Sequence, residues 1–107
     1  MYALVFSKIN SSDIDQSYTY IKKTLEAPKA ADELINELIE KLNYLKETPY
    51  RRPFVQDKYL ASLEIRSIKI KNYVLYYSVA EDKKTVNIIR FLYKKRDWIN
   101  ILQEDQL

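Results

Sequence analysis

The sequence predicts an α+β domain in the order β-α-α-β-β-β-α: a helical hairpin packed on a mainly antiparallel four-stranded sheet, closed by a short C-terminal helix. Three observations lead there. Between Tyr73 and Val79 apolar and aromatic residues occupy odd and even positions alike, the pattern of a central strand covered on both faces. Between Ala31 and Leu45 the apolar residues recur at helical spacing on one face. Two short polar stretches, Lys71-Asn72 and Glu81-Asp82-Lys83-Lys84, flank that strand at hairpin distance.

The elements follow in order. Tyr2 to Phe6 is a short β-prone run and reads as the first strand. Ser11 or Ser12 offers an N-cap, and Ser12 with Asp15 has the spacing of a capping box. Ile14, Tyr18, Ile21 and Leu25 then form one stripe of a first helix, which ends near Ala27 because Pro28 disfavours helical geometry in the residue before it. Pro28 suits the first turn of a second helix, where its missing N–H costs nothing. On that helix Ala31, Leu34, Ile35, Leu38, Leu42 and Leu45 share a face, Glu37 and Lys41 have a favourable i, i+4 order, and Pro49 ends the run. Tyr50 to Ser62 reads as irregular. Ile68 and Ile70 alternate with Lys69 and Lys71, and Asn72 is the natural residue for a positive φ in a chain with no glycine. Val86 to Tyr93 is the last strand, and Trp98, Ile101 and Leu102 mark the tail helix.

The chain's 107 residues make a single domain, 1–107, with a hydrophobic fraction of 47% and a charged fraction of 31%, which is globular composition. No apolar run reaches membrane-spanning length, and MYALVFSKIN lacks the basic leader and small-residue cleavage site of a signal peptide, so a cytoplasmic protein with no membrane partner is expected. With no cysteine there is no disulfide or thiolate chemistry. With no histidine either, no metal site and no cofactor is expected, and acid–base work falls to Lys, Arg, Tyr, Asp or Glu. The net charge of +3 is uneven: residues 50–98 hold twelve Lys/Arg against five Asp/Glu, whereas residues 1–49 hold six against eight. A cationic sheet region points to an anionic partner, or to no more than a solvated basic surface.

Without glycine, histidine or cysteine, the phosphate loop, the dinucleotide fingerprint and the Ser-His-Asp set are all excluded. What remains is a cationic and aromatic group: Arg66, Lys69, Lys71, Arg90, Tyr93, Lys94, Lys95 and Arg96. Arg66 shares strand parity with Ile68 and Ile70, and Arg90 sits inside the apolar run IIRFLY. Each then needs either a carboxylate, with Glu64, Asp97 and Glu104 in reach by sequence, or a groove in which its guanidinium meets phosphate. Tyr73, Tyr76 and Tyr77 lie within the central strand, where aromatics are usually core, while Tyr93 at the strand exit beside Lys94 is the aromatic best placed to meet a ligand.

In order and spacing these pieces resemble the RelE/ParE superfamily of toxins from bacterial type II toxin–antitoxin modules. The likeness runs from Tyr20-Ile21 through Pro28…Ala30-Ala31 and Leu45…Pro49. It is strongest in Arg66-x-Ile68-x-Ile70-x-x-Tyr73-x-Leu75-x-Tyr77 and in Ile88-Ile89-Arg90-Phe91-Leu92-Tyr93…Arg96-Asp97. The resemblance implies a growth-inhibiting toxin neutralised by a cognate antitoxin, whose short reading frame should lie beside this one. It implies one of two targets. RelE-like members cut mRNA on the ribosome without metal, and here Tyr93, Lys94 and Arg96 would be the catalytic set. ParE-like members poison DNA gyrase and lack that set. In many RelE-like members an arginine follows the residue aligned with Tyr73, and a histidine stands near the end of the last strand; this chain has Val74, and Leu92 or Tyr93. Those departures favour the ParE-like branch. Arg66, Lys69, Lys71, Arg90 and Lys95 are the expected contacts to nucleic acid or target. A double-stranded RNA-binding module or a partner-binding adaptor domain would share the sheet-plus-helix layout and the basic charge.

Overall fold

A computed structural model describes residues 1–106. Its strands are β1 (Ala3–Phe6), β2 (Arg66–Ile70), β3 (Tyr73–Ala80) and β4 (Thr85–Tyr93). Its helices are α1 (Lys8–Thr19), α2 (Pro28–Glu47), α3 (Lys58–Ser62) and α4 (Trp98–Asp105), with a π-helical turn over Tyr20–Thr24 continuing α1. The sheet order is β1-β4-β3-β2, with β1 parallel to β4 and the other two pairings antiparallel.

β3 is central and covered on both faces, as its unbroken apolar run requires. Tyr73, Leu75 and Tyr77 point into the larger core, where Leu34, Leu38 and Leu45 of α2 meet Ile68, Ile70, Val86, Ile88 and Phe91. Tyr76 faces the other way, into a smaller core with Val55, Leu60 of α3, Ile65, Leu92 and Leu102 of α4. The leucine stripe of α2 behaves as its spacing predicts, with Pro28 in the first turn and four of the stripe residues buried.

Several local expectations give way to tertiary context. The N-cap of α1 is Ser7, whose side chain accepts from the Asn10 N–H at 3.0 Å, and not Ser11 or Ser12. The chain leaves the sheet at Phe6, so the first available serine caps the helix. The earlier start shifts the buried face: Asn10 and Ser17 are its buried residues, while Leu25 is exposed. Both side-chain polar atoms of Asn10 are buried without a hydrogen-bond partner in the protein.

The stretch expected to be irregular contains α3, capped by Asp57, which accepts from the Leu60 N–H at 3.0 Å. Left-handed backbone falls on Glu26, Glu64, Lys71 and Lys84, with φ between 50° and 61°, and not on Asn72. With no glycine available, each tight reversal places an ordinary side chain in a conformation that costs about 1–2 kcal/mol.

Register slips once between β3 and β4. Tyr77 lies opposite Ile88 and Tyr76 opposite Arg90, so Ile89 is an extra residue in β4. Regular alternation from Val86 and Ile88 would aim Arg90 into the larger core; the bulge turns it to the other side.

Candidate functional site

The bulge decides what Arg90 does. Its guanidinium meets Asp13 of α1 in a paired contact, Nε to Oδ2 at 2.7 Å and Nη2 to Oδ1 at 2.9 Å. Its Nη1 also donates to Asp105 of α4 at 3.2 Å. The Asp13 carboxylate further accepts the Phe91 N–H at 3.0 Å, where β4 runs on past the end of β1. The Arg90 and Asp13 side chains are 14% and 10% exposed, so the cluster is a mostly buried tie between α1, β4 and α4. The hydrogen bonds from Asp13 hold the Arg90 guanidinium still further toward its charged form than usual. Arg90 therefore has the carboxylate partners its apolar surroundings demand, but they are Asp13 and Asp105 and not Glu64, Asp97 or Glu104.

Arg66 lies on the face of Ile68 and Ile70, as its parity predicts, and finds no carboxylate. Its Nη1 donates to the carbonyls of Arg52 at 2.5 Å and Tyr50 at 3.3 Å. The guanidinium stacks over the rings of Phe54 at 4.4 Å and Tyr50 at 5.3 Å. It fastens the 50–55 segment to the start of β2, where Phe54 forms an antiparallel bridge with Arg66.

The remaining predicted residues separate into those lining a groove and those outside it. The largest concavity, about 660 Å³, opens between the corner of the helical hairpin and the sheet. Lys71, Asn72, Tyr73, Tyr93 and Arg96 line its sheet side. Tyr20, Ile21 and Leu25 at the hairpin corner, with Ala30 and Leu34 of α2, form an apolar opposite wall. The turn after β4 curls back, with the Arg96 N–H donating to the Tyr93 carbonyl at 2.9 Å, and this brings Arg96 to the groove. Lys71 reaches it from the β2–β3 turn, held by its own N–H donating to the Glu37 carboxylate at 3.0 Å. Lys94 and Lys95 are exposed in the turn but do not line the groove, and Lys69 lies outside it on the β2 edge.

The tyrosines divide in the same way. Tyr77 is fully buried, its hydroxyl donating to the Pro49 carbonyl at 3.2 Å, and Tyr76 stacks on Trp98 at 5.4 Å. Burial pushes both hydroxyls up to about 12, so they act as core. Tyr73 stacks on Phe91 at 5.0 Å and meets Tyr93 edge-on at 5.6 Å, linking core and groove; burial raises its pKa as well. Tyr93 is 41% exposed and Tyr20 faces it from the hairpin corner, 51% exposed.

Sequence reasoning missed Tyr20 as a groove residue and Asp13 as the partner of Arg90, and it assigned Leu25 to the core. One signal for Tyr20 was present: it is an aromatic lying off the apolar stripe of its own helix. Asp13 was legible only through the bulge and the position of Ser7. The π-helical turn, in which the Leu25 N–H donates to the Tyr20 carbonyl at 3.0 Å, widens the helix at the rim of the groove. Among the described residues no three metal-ligating side chains cluster, and no helix is long and apolar enough to cross a membrane.

Known proteins share this arrangement. A family model described as the ParE toxin of the type II toxin–antitoxin system parDE matches residues 4–98. Among solved structures, the chromosomal ParDE toxin–antitoxin system from P. aeruginosa superposes with a TM-score of 0.67 at 17% identity, covering 87% of this chain and 96% of that one. The RelBE2 toxin–antitoxin complex from Mycobacterium tuberculosis gives a TM-score of 0.59 at 18% identity, covering 86% and 96%. The isolated E. coli RelE toxin gives 0.57 at 18% identity and covers both chains completely. At these identities the structural likeness is one of fold. No curated protein sequence matches the chain.

Proposed function

Because this chain belongs to the family of ParE toxins of type II toxin–antitoxin systems, matched over residues 4–98, we propose that it is a growth inhibitor neutralised by a cognate antitoxin, and that it poisons DNA gyrase. The observation that carries the choice of target is the fate of Arg90. Cutting RNA by 2′-OH attack needs cations free to meet the developing phosphorane charge and a base free to take the proton. Arg90 is bound to Asp13 and Asp105, Arg66 is held by carbonyls and rings, and Lys94 is not among the residues lining the groove with Tyr93 and Arg96. The groove keeps two cations, Lys71 and Arg96, against a largely apolar wall. That mixture suits a protein segment better than a reacting phosphodiester.

One observation favours the other reading, ribosome-dependent mRNA cleavage: Tyr93, Arg96 and Lys71 share a groove with Tyr20 and Tyr73, which supplies both stacking and charge. Pulse-labelling after induction without antitoxin separates the two. Thymidine incorporation falling before amino-acid incorporation is the expected result. Amino-acid incorporation failing first overturns gyrase as the target, and steady incorporation of both overturns the toxin reading itself.

A further inference from the structure

We propose that the concavity between α2 and the outer edge of β2 binds the phosphodiester backbone of duplex DNA through Lys41, Arg52 and Lys69. This site shares no lining residue with the Tyr93–Arg96 groove. It measures about 340 Å³ and is lined by Lys41, Tyr44, Arg52, Ile68 and Lys69: three cations, one phenol, one aliphatic side chain and no carboxylate. Among the described residues none of the three cations enters an ion pair.

Edge protection explains part of this arrangement. A lysine on an edge strand discourages pairing with another chain, and Lys69 projects between Ile68 and Ile70 on such a strand. Arg52 also guards the edge, its Nε donating to the Ser67 carbonyl at 3.3 Å. Lys41 is on α2, away from the edge, and edge protection gives no reason for it to join two other cations without a counter-charge. Three like charges around one concavity repel, and that repulsion is relieved by an anion seated among them. The Nε bond aligns the Arg52 guanidinium along the strand while its two Nη groups keep their donors free, the geometry in which arginine grips phosphate oxygens in pairs.

A phosphodiester backbone supplies a row of such anions. Single-stranded nucleic acid is held chiefly by stacking on several exposed aromatics, and this concavity has only the half-buried Tyr44. The chemistry therefore fits the outside of a duplex, gripped without regard to sequence. The inference stands independently of the toxin's target.

The test is binding of the purified chain to a labelled duplex of about 20 base pairs across a salt series from about 50 to 200 mM, beside a single-stranded RNA of the same length. The wild-type chain should bind the duplex more tightly, and K41Q/R52Q/K69Q should lose about ten-fold at the lowest salt. Its log–log salt slope should flatten by about 2.7, the value for three phosphates released. K22Q/K23Q/K29Q, which removes the same charge elsewhere, should change affinity by less than about three-fold. If a melt shows the first triple variant to be unfolded, K41Q/K69Q replaces it, with a slope change of about 1.8. The proposal is overturned by no duplex binding at about 50 mM salt, by equal losses in the two triple variants, by an unchanged slope, or by tighter binding of the single strand.

Discussion

At the scale of single residues, the molecule turns on Arg90. Its guanidinium is shared by two carboxylates from helices that are distant in sequence, and one of those carboxylates also satisfies the Phe91 N–H. Removing the arginine leaves Asp13 buried beside an unpaired charge, which typically costs about 3–5 kcal/mol. Arg90→Ala should therefore lose about 3 kcal/mol in denaturant unfolding, and a loss below about 1 kcal/mol would mean that solvent already screens the cluster. Asn10 is the opposite case. Its amide is fully buried and meets no partner in the protein, a deficit of about 1–3 kcal/mol. Asn10→Leu, nearly equal in volume, should raise the melting temperature; a lower one would show that the amide has a role in the folded state which its surroundings do not reveal. Neither residue announces itself in the sequence. Asn10 lies beside serines in a polar stretch, and Arg90 looks like a core intrusion until the bulge at Ile89 is known.

At the scale of elements, the strand and helix patterns were legible and their joints were not. The β3 run, the α2 stripe and the tail helix are each dictated by spacing, because burial on one or two faces leaves a periodic trace. Ser7 displaced Ser12 as the cap because the end of β1, a tertiary fact, chooses among chemically equal serines. Lys71 took the left-handed turn position expected of Asn72 because sheet register fixes which residue reverses the chain. At the opposite end of the sheet a polar joint binds three elements. The Glu81 carboxylate in the β3–β4 turn accepts from the Tyr2 and Tyr50 hydroxyls, both at 2.6 Å, and pairs with Lys84. The hydrogen bond from Lys84, then those from the tyrosines, pulls its pKa from 4.5 down to about 2. A carboxylate lowered in the folded state adds stability above pH 4.5 and loses it as pH falls toward 2. The difference in melting temperature between the wild-type chain and Glu81→Gln should thus be largest at neutral pH and vanish near pH 2. Parallel profiles across that range would show that the joint contributes nothing through ionisation.

At the scale of the whole molecule, the fold reduces to a hairpin of helices on one face of a sheet, a short helix pair on the other, and an aromatic groove at the hairpin corner. That architecture was legible because each element's periodicity agrees with the layer it occupies. The groove was half legible: Tyr93, Arg96 and Lys71 stood out by type and position, whereas Tyr20 and Leu25 entered it through a π-helical turn that no periodicity reports. The cations expected to act together were divided by three-dimensional contacts between internal ties, the groove and the β2 edge. The account's central claim is that what remains in the groove grips a protein target and does not cut RNA. Incubating the purified chain with DNA gyrase, ATP and relaxed plasmid, and then releasing any enzyme-bound breaks with detergent and protease, tests this most directly. The account predicts linearised plasmid that disappears when Tyr93 and Arg96 are replaced by alanine. Intact, fully supercoiled plasmid, alongside mRNA cut in a translating extract by the same preparation, would contradict it.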